Sequence, residues 1–126
     1  MTIRALLLAC LLILPGTVPA EEPPRGYGEA MRWYREAAES GDPRAQYLYA
    51  LRLEQGVGQG APDPAAAAEW YRRAARQGHG RSAFRLARMR ETGRALTRDA
   101  GTAVRWYRVA AEADLPEAEY NLALML

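Results

Sequence analysis

The chain has 126 residues, of which 49% are apolar and 25% charged, a balance that suits one globular domain and excludes a disordered or collagen-like chain. Its net charge of +2 comes from 17 basic residues, all arginine, against 15 acidic ones, too small an excess to mark a nucleic-acid binder. A lone cysteine, Cys10, and a lone histidine, His79, exclude an intrachain disulfide and a zinc site of sulfur and imidazole, and no cofactor is implied.

In chain order, residues 1–20 read as an export signal. Arg4 supplies the positive start, Ala5 to Leu14 an apolar run of ten residues, and Val18-Pro19-Ala20 a small-residue cleavage pattern. A helix needs about 20 apolar residues to cross a bilayer, so this run implies no stable membrane span. Cleavage after Ala20 would place the mature chain in a bacterial periplasm or outside the cell. The competing reading is a lipoprotein acylated at Cys10, since Leu7-Leu8-Ala9-Cys10 looks like a lipobox; the apolar run continues past the cysteine, which favours the first reading. Residues 21–28, with Pro23, Pro24, Gly26 and Gly28, read as a flexible leader.

Residues 29–126 are organised by a stretch that occurs three times: Trp33-Tyr34 followed by Ala37-Ala38, Trp70-Tyr71 followed by Ala74-Ala75, and Trp106-Tyr107 followed by Ala110-Ala111. The spacing is 37 residues and then 36, the period of a solenoid of helical hairpins. The predicted units are about 29–63, 64–99 and 100–126. In the first, a helix over about 27–40 stops at Gly41, Asp42-Pro43 caps and starts the next, and that helix runs to about Gln55 with Ala45, Tyr49, Ala50 and Leu53 on one stripe. After the glycine-rich link 56–62, Asp63-Pro64 starts a helix that ends at Gly78, and a further helix covers about 81–92. Asp99 is the expected cap of the next helix, and Pro116 begins the last, which ends in the apolar run Leu122 to Leu126. Solenoids usually close on a polar capping repeat, so this run predicts self-association through Leu122, Leu124 and Leu126, burial by a partner, or fraying.

The pattern Ala-x-x-Trp-Tyr-x-x-Ala-Ala-x-x-Gly, followed by Ala45-Gln46-Tyr47-x-x-Ala50 or Ala118-Glu119-Tyr120-Asn121-Leu122-Ala123 and then, in the first repeat, by a glycine loop and an aspartate, resembles the Sel1-like repeat, a relative of the tetratricopeptide repeat. The resemblance covers about Ala30 to Leu126. It implies an all-α, right-handed α/α superhelical solenoid of about three hairpins, and a non-enzymatic scaffold or adaptor that mediates protein–protein contacts. Two departures stand out. Arg88 and Arg90 replace apolar residues in the second helix of the middle hairpin, Arg90 at the position of Leu53 and Leu126, and Asp114 stands where Gly41 and Gly78 stand earlier. A secreted, cysteine-rich branch of the family is linked to penicillin binding and weak β-lactam hydrolysis. This chain lacks those cysteines, and a weak β-lactam hydrolase of the cell envelope is kept only as the alternative.

For nucleophilic catalysis the mature chain offers Ser40, Ser82 and one histidine, and Ser82 lies three residues from His79. It reads as a small-residue position and a turn histidine rather than a dyad. Gly56 to Gly60 lacks the Lys-Ser/Thr of a phosphate loop, and the carboxylates read as caps and solvated faces. The charge distribution is more informative: residues 72–108 hold 11 arginines against Glu91 and Asp99. Arg81, Arg85 and Arg88, at i, i+4 and i+7, form one helical stripe suited to an acidic protein partner; the plain account is a solvated face paired to acidic groups of adjacent repeats. Trp33, Trp70 and Trp106 are candidates for partner contact or for the core, whereas Tyr34, Tyr71 and Tyr107 are expected to be core.

Overall fold

A computed structural model of the chain describes residues 27–56 and 60–126. The export segment, Cys10 and most of the leader lie outside the described residues. Six helices make up the described part, with no strand among them: α1 (Tyr27–Glu39), α2 (Pro43–Gln55), α3 (Pro64–Arg76), α4 (Gly80–Thr92), α5 (Ala100–Glu112) and α6 (Pro116–Met125). Each packs on the next in chain order, most extensively α2 on α3 and α4 on α5. This is the all-α solenoid that the 36- to 37-residue period predicts.

The helix starts follow from the capping residues. The carboxylate of Asp42 accepts from the Arg44 N–H at 2.8 Å, that of Asp63 from Ala66 at 3.1 Å and that of Asp99 from Thr102 at 3.1 Å. Each satisfies a donor that the first turn of a helix leaves open. The longer links close alike: the N–H of Asp63 donates to the Leu53 carbonyl and that of Asp99 to the Arg90 carbonyl, both at 2.8 Å. Arg90 therefore keeps the backbone role of Leu53 without entering the core. Its guanidinium reaches out to the Thr97 carbonyl at 2.9 Å, which resolves the conflict posed by an arginine at an apolar position. The short turns also share one geometry. Gly41 and Gly78 lie at φ 99° and 87°, and Asp114 adopts φ 59°, so the turn survives its non-glycine residue.

The core consists of alanines and large rings. Ala37, Ala38, Ala74, Ala75 and Ala110 are buried, while Ala111 is half-buried. Small residues here let the helices approach closely enough to enclose Tyr71 and Tyr107, both fully buried. Tyr34, on the first helix, is only half-buried. A polar seam ties the first turn to α3: Gln77 donates to the Gly41 carbonyl and to Gln46 Oε1, both at 3.0 Å, and buried Gln46 donates to the Ala38 carbonyl at 3.2 Å.

Candidate partner-binding groove

The buried face of α4 carries Ala83, Leu86, Ala87 and Met89, which turns Arg81, Arg85 and Arg88 to the other side. All three line one groove of about 690 Å³. Phe84 and Met89 of α4 contribute its apolar surface together with Tyr47 of α2 and Leu115 at the start of α6; Arg94, Glu54 and Glu117 bring further charge. Arg81, Arg88 and Arg94 are exposed and make no ion pair among the described residues. Arg85 is half-buried, its guanidinium 3.8 Å from Glu54 Oε2. Of the ion pairs among the described residues, this one alone joins two helices; the others lie within a turn of α1 or α3. Pairing to adjacent repeats thus accounts for Arg85 and not for its neighbours on the stripe.

Glu54 is anchored from below. Its side chain is 11% exposed, and it accepts a hydrogen bond from the Tyr71 hydroxyl at 2.6 Å. Burial, followed by the adjacent carboxylate, pushes the Tyr71 hydroxyl far above the usual phenol range, so it stays a donor. The same arrangement recurs one repeat later: Tyr107 donates to Glu91 and accepts from Asn121 Nδ2 at 3.3 Å, and burial with the Glu91 carboxylate pushes it up to about 12. Rings repeat as well, with Tyr47 against Tyr71 at 5.9 Å and Phe84 against Tyr107 at 5.8 Å. The reading of carboxylates as caps and solvated faces fails at Glu54 and Glu91. A buried tyrosine hydroxyl needs an acceptor, and each glutamate supplies it to the next helix. The available clue was their shared position two residues before Gly56 and Gly93.

None of the tryptophans lines this groove. Trp70 joins the two halves of the core, packing beside Ala37, Ala38 and Ala45 as well as the larger cluster, with Tyr49 edge-on at 5.3 Å and the Arg73 guanidinium 4.4 Å above its ring. Trp106 packs against the larger cluster. Trp33 stands edge-on to Tyr34 at 5.2 Å with its indole N–H buried and without an acceptor. All three are half-buried. On α6, Leu122 packs into the core, while Leu124 and Leu126 are 69% and 77% exposed.

His79 and Ser82 do meet, but as a helix cap. Nδ1 of His79 lies 2.8 Å from Ser82 Oγ and accepts from the Ser82 N–H at 3.3 Å. Since Nδ1 is the acceptor, the ring proton sits on Nε2. Ser82 is fully buried, so its hydroxyl has no approach to a substrate. Desolvation lowers the His79 pKa, helped by Arg81 and Arg44 and opposed by Asp42.

Stacked helical hairpins with one charged groove define a solenoid of the interaction-module class. A family model described as Sel1 repeat matches residues 5–42, 43–79, 80–115 and 116–126, and the chain belongs to this family. The first match includes the segment read as an export signal. The later ones begin with α2, α4 and α6, the helices that border the groove. Among solved structures, the chain is similar to a Sel1 repeat protein from Oxalobacter formigenes, at 33% identity and TM-score 0.72 over 75% of this chain and 39% of the other. It is likewise similar to a protective antigen present in uropathogenic Escherichia coli strains displaying an SLR fold, at 31% identity and TM-score 0.72 over 81% of this chain and 22% of the other. The chain thus spans well under half the length of either. No curated protein matches it. Sel1 repeats are in general protein–protein interaction modules, and no helix among the described residues is long and apolar enough to cross a membrane.

Proposed function

We propose that this chain is an exported, non-enzymatic scaffold or adaptor that holds an acidic protein partner in the groove lined by Arg81, Arg85 and Arg88. The observation that carries this reading is the convergence of the three arginines, with Arg94, on one groove that also offers apolar surface. The excess of arginine over residues 72–108 supplies a long-range field that speeds encounter with negative surfaces. The export pattern at residues 1–20 supports a periplasmic or extracellular site of action. Capture of partners from a bacterial envelope extract by the mature chain, beside the Arg81→Glu/Arg85→Glu/Arg88→Glu variant, tests the reading. One protein retained by the wild type, released by salt and lost by the variant supports it; equal retention by both overturns it. Self-association through α6 is the second part of the reading, supported by exposed Leu124 and Leu126. Light scattering across a concentration series that shows only monomer would remove it.

A further inference from the structure

We infer that the groove selects a short extended segment carrying a large apolar side chain between carboxylates, and that Glu54 sets the strength of binding by competing for Arg85. This deepens the acidic-partner reading and rests on it. Arg81 and Arg88 stand seven residues apart on α4, about 10 Å along the helix. Residues four apart on an extended chain share one face and stand about 13 Å apart, within reach of the long arginine side chains, so two such carboxylates that pair with Arg81 and Arg88 set the side chain midway between them over half-buried Phe84. Buried Met89 floors the groove, and half-buried Tyr47 and Leu115 join Phe84 in the apolar surface that a ligand can reach. A featureless polyanion would pair with the guanidiniums and leave this surface wet. A purely apolar segment would take water from three unpaired cations and give nothing in return. The combination fits a ligand that is acidic at its flanks and apolar at its centre.

Glu54 gives the groove a negative element of its own. The Tyr71 hydroxyl holds it at 2.6 Å and its side chain is 11% exposed, so it is not free to swing away when a ligand arrives. Arg85 is therefore shared between Glu54 and any incoming carboxylate, while Arg81, Arg88 and Arg94 are not. Glu54→Gln keeps an oxygen to accept from Tyr71 and removes the competing charge.

The test is fluorescence anisotropy at low salt on the full mature chain. The probe is a labelled decapeptide with a central Leu-Phe pair and two carboxylates on each side, set beside a peptide of equal charge whose central pair is Gly-Ser and a single-stranded DNA of equal charge. The anchored peptide should bind about tenfold more tightly than the Gly-Ser peptide, since about 1.4 kcal/mol per tenfold is well within the worth of two buried apolar side chains. Glu54→Gln should tighten it by about threefold, the scale of one partly exposed charge pair. Arg88→Glu, on an exposed position, should weaken both peptides. If the two peptides bind equally while Arg88→Glu weakens both, the acidic-partner reading stands and the anchor falls. DNA binding as tightly as the anchored peptide, no binding of that peptide at millimolar concentration, or unchanged or weaker binding by folded Glu54→Gln overturns the inference. Indifference of both peptides to Arg88→Glu overturns the acidic-partner reading as well.

Discussion

Two buried clamps, Glu54 with Tyr71 and Glu91 with Tyr107, occupy the same places in successive repeats and differ in what stands beside them. Fourteen residues after Tyr71 the chain places Arg85, and fourteen after Tyr107 it places Asn121. Arg85 faces the carboxylate of its clamp, whereas Asn121 donates to the tyrosine hydroxyl of its own. The clamp is thus the constant framework and the third residue the variable. The first clamp opens onto the charged groove, and its glutamate has a cation within reach. The second has no ion pair among the described residues.

Removing the hydroxyls breaks the comparison most directly. Tyr71→Phe and Tyr107→Phe each leave a half-buried glutamate without its tyrosine donor, at a cost of about 1–3 kcal/mol. Tyr107→Phe should be the more destabilising in urea unfolding, because Glu54 retains Arg85 and Glu91 has no such fallback. Equal losses, or an Arg85→Ala change that costs no more in the Tyr71→Phe background than in the wild type, would show that Arg85 does not support the first clamp.

A pH series sharpens the contrast, because only the first clamp has a histidine nearby, His79, whose ring lies 5.1 Å from that of Tyr47. Its pKa in the folded chain lies below the usual imidazole value of about 6.5. Below that value the unfolded chain takes up a proton that the folded chain resists, so stability falls as pH drops through about 6.5 and levels off once the lower folded pKa is passed. Protonation at Nδ1 also removes the acceptor that caps α4. Between about pH 7.5 and 5.5 the wild type should lose Tm while His79→Asn, which caps without titrating in that window, should hold nearly constant. Parallel profiles would refute the assignment.

The smallest effect concerns the link of the second repeat, one residue shorter than that of the first, which accounts for the change of period from 37 to 36. Within it Ala95 adopts φ 62°, a region costly for a residue with a Cβ. Ala95→Gly should raise stability by about 0.5–1 kcal/mol in urea unfolding, the relief of strain exceeding the added freedom of the unfolded chain. A loss of stability would mean that the strain is not stored there.

The architecture was legible because it depends on repetition. Trp-Tyr, Ala-Ala and the capping aspartates recur at a fixed period, and a period needs no three-dimensional knowledge to be seen. The arginine stripe was legible for a similar reason, since i, i+4 and i+7 share a helix face. The clamps were not, because Glu54 lies 17 residues from Tyr71 and their meeting depends on how α2 lies on α3. Nor was the place of the tryptophans, since a large amphipathic ring suits a core margin and a binding face alike. His79 looked like a turn residue and proved to be the cap standing where Asp42 stands one repeat earlier, while Leu115 at the third such position makes no side-chain cap at all.

The choice of guanidinium throughout has a practical corollary. With no lysine in the chain, acetylation, and any reagent that attacks a side-chain amine, has nothing to act on in the groove. Guanidinium does not deprotonate in proteins. Ionic strength, which shortens the reach of exposed charges to about 8 Å at physiological salt, is a solution variable that tunes the pull of the groove's arginines.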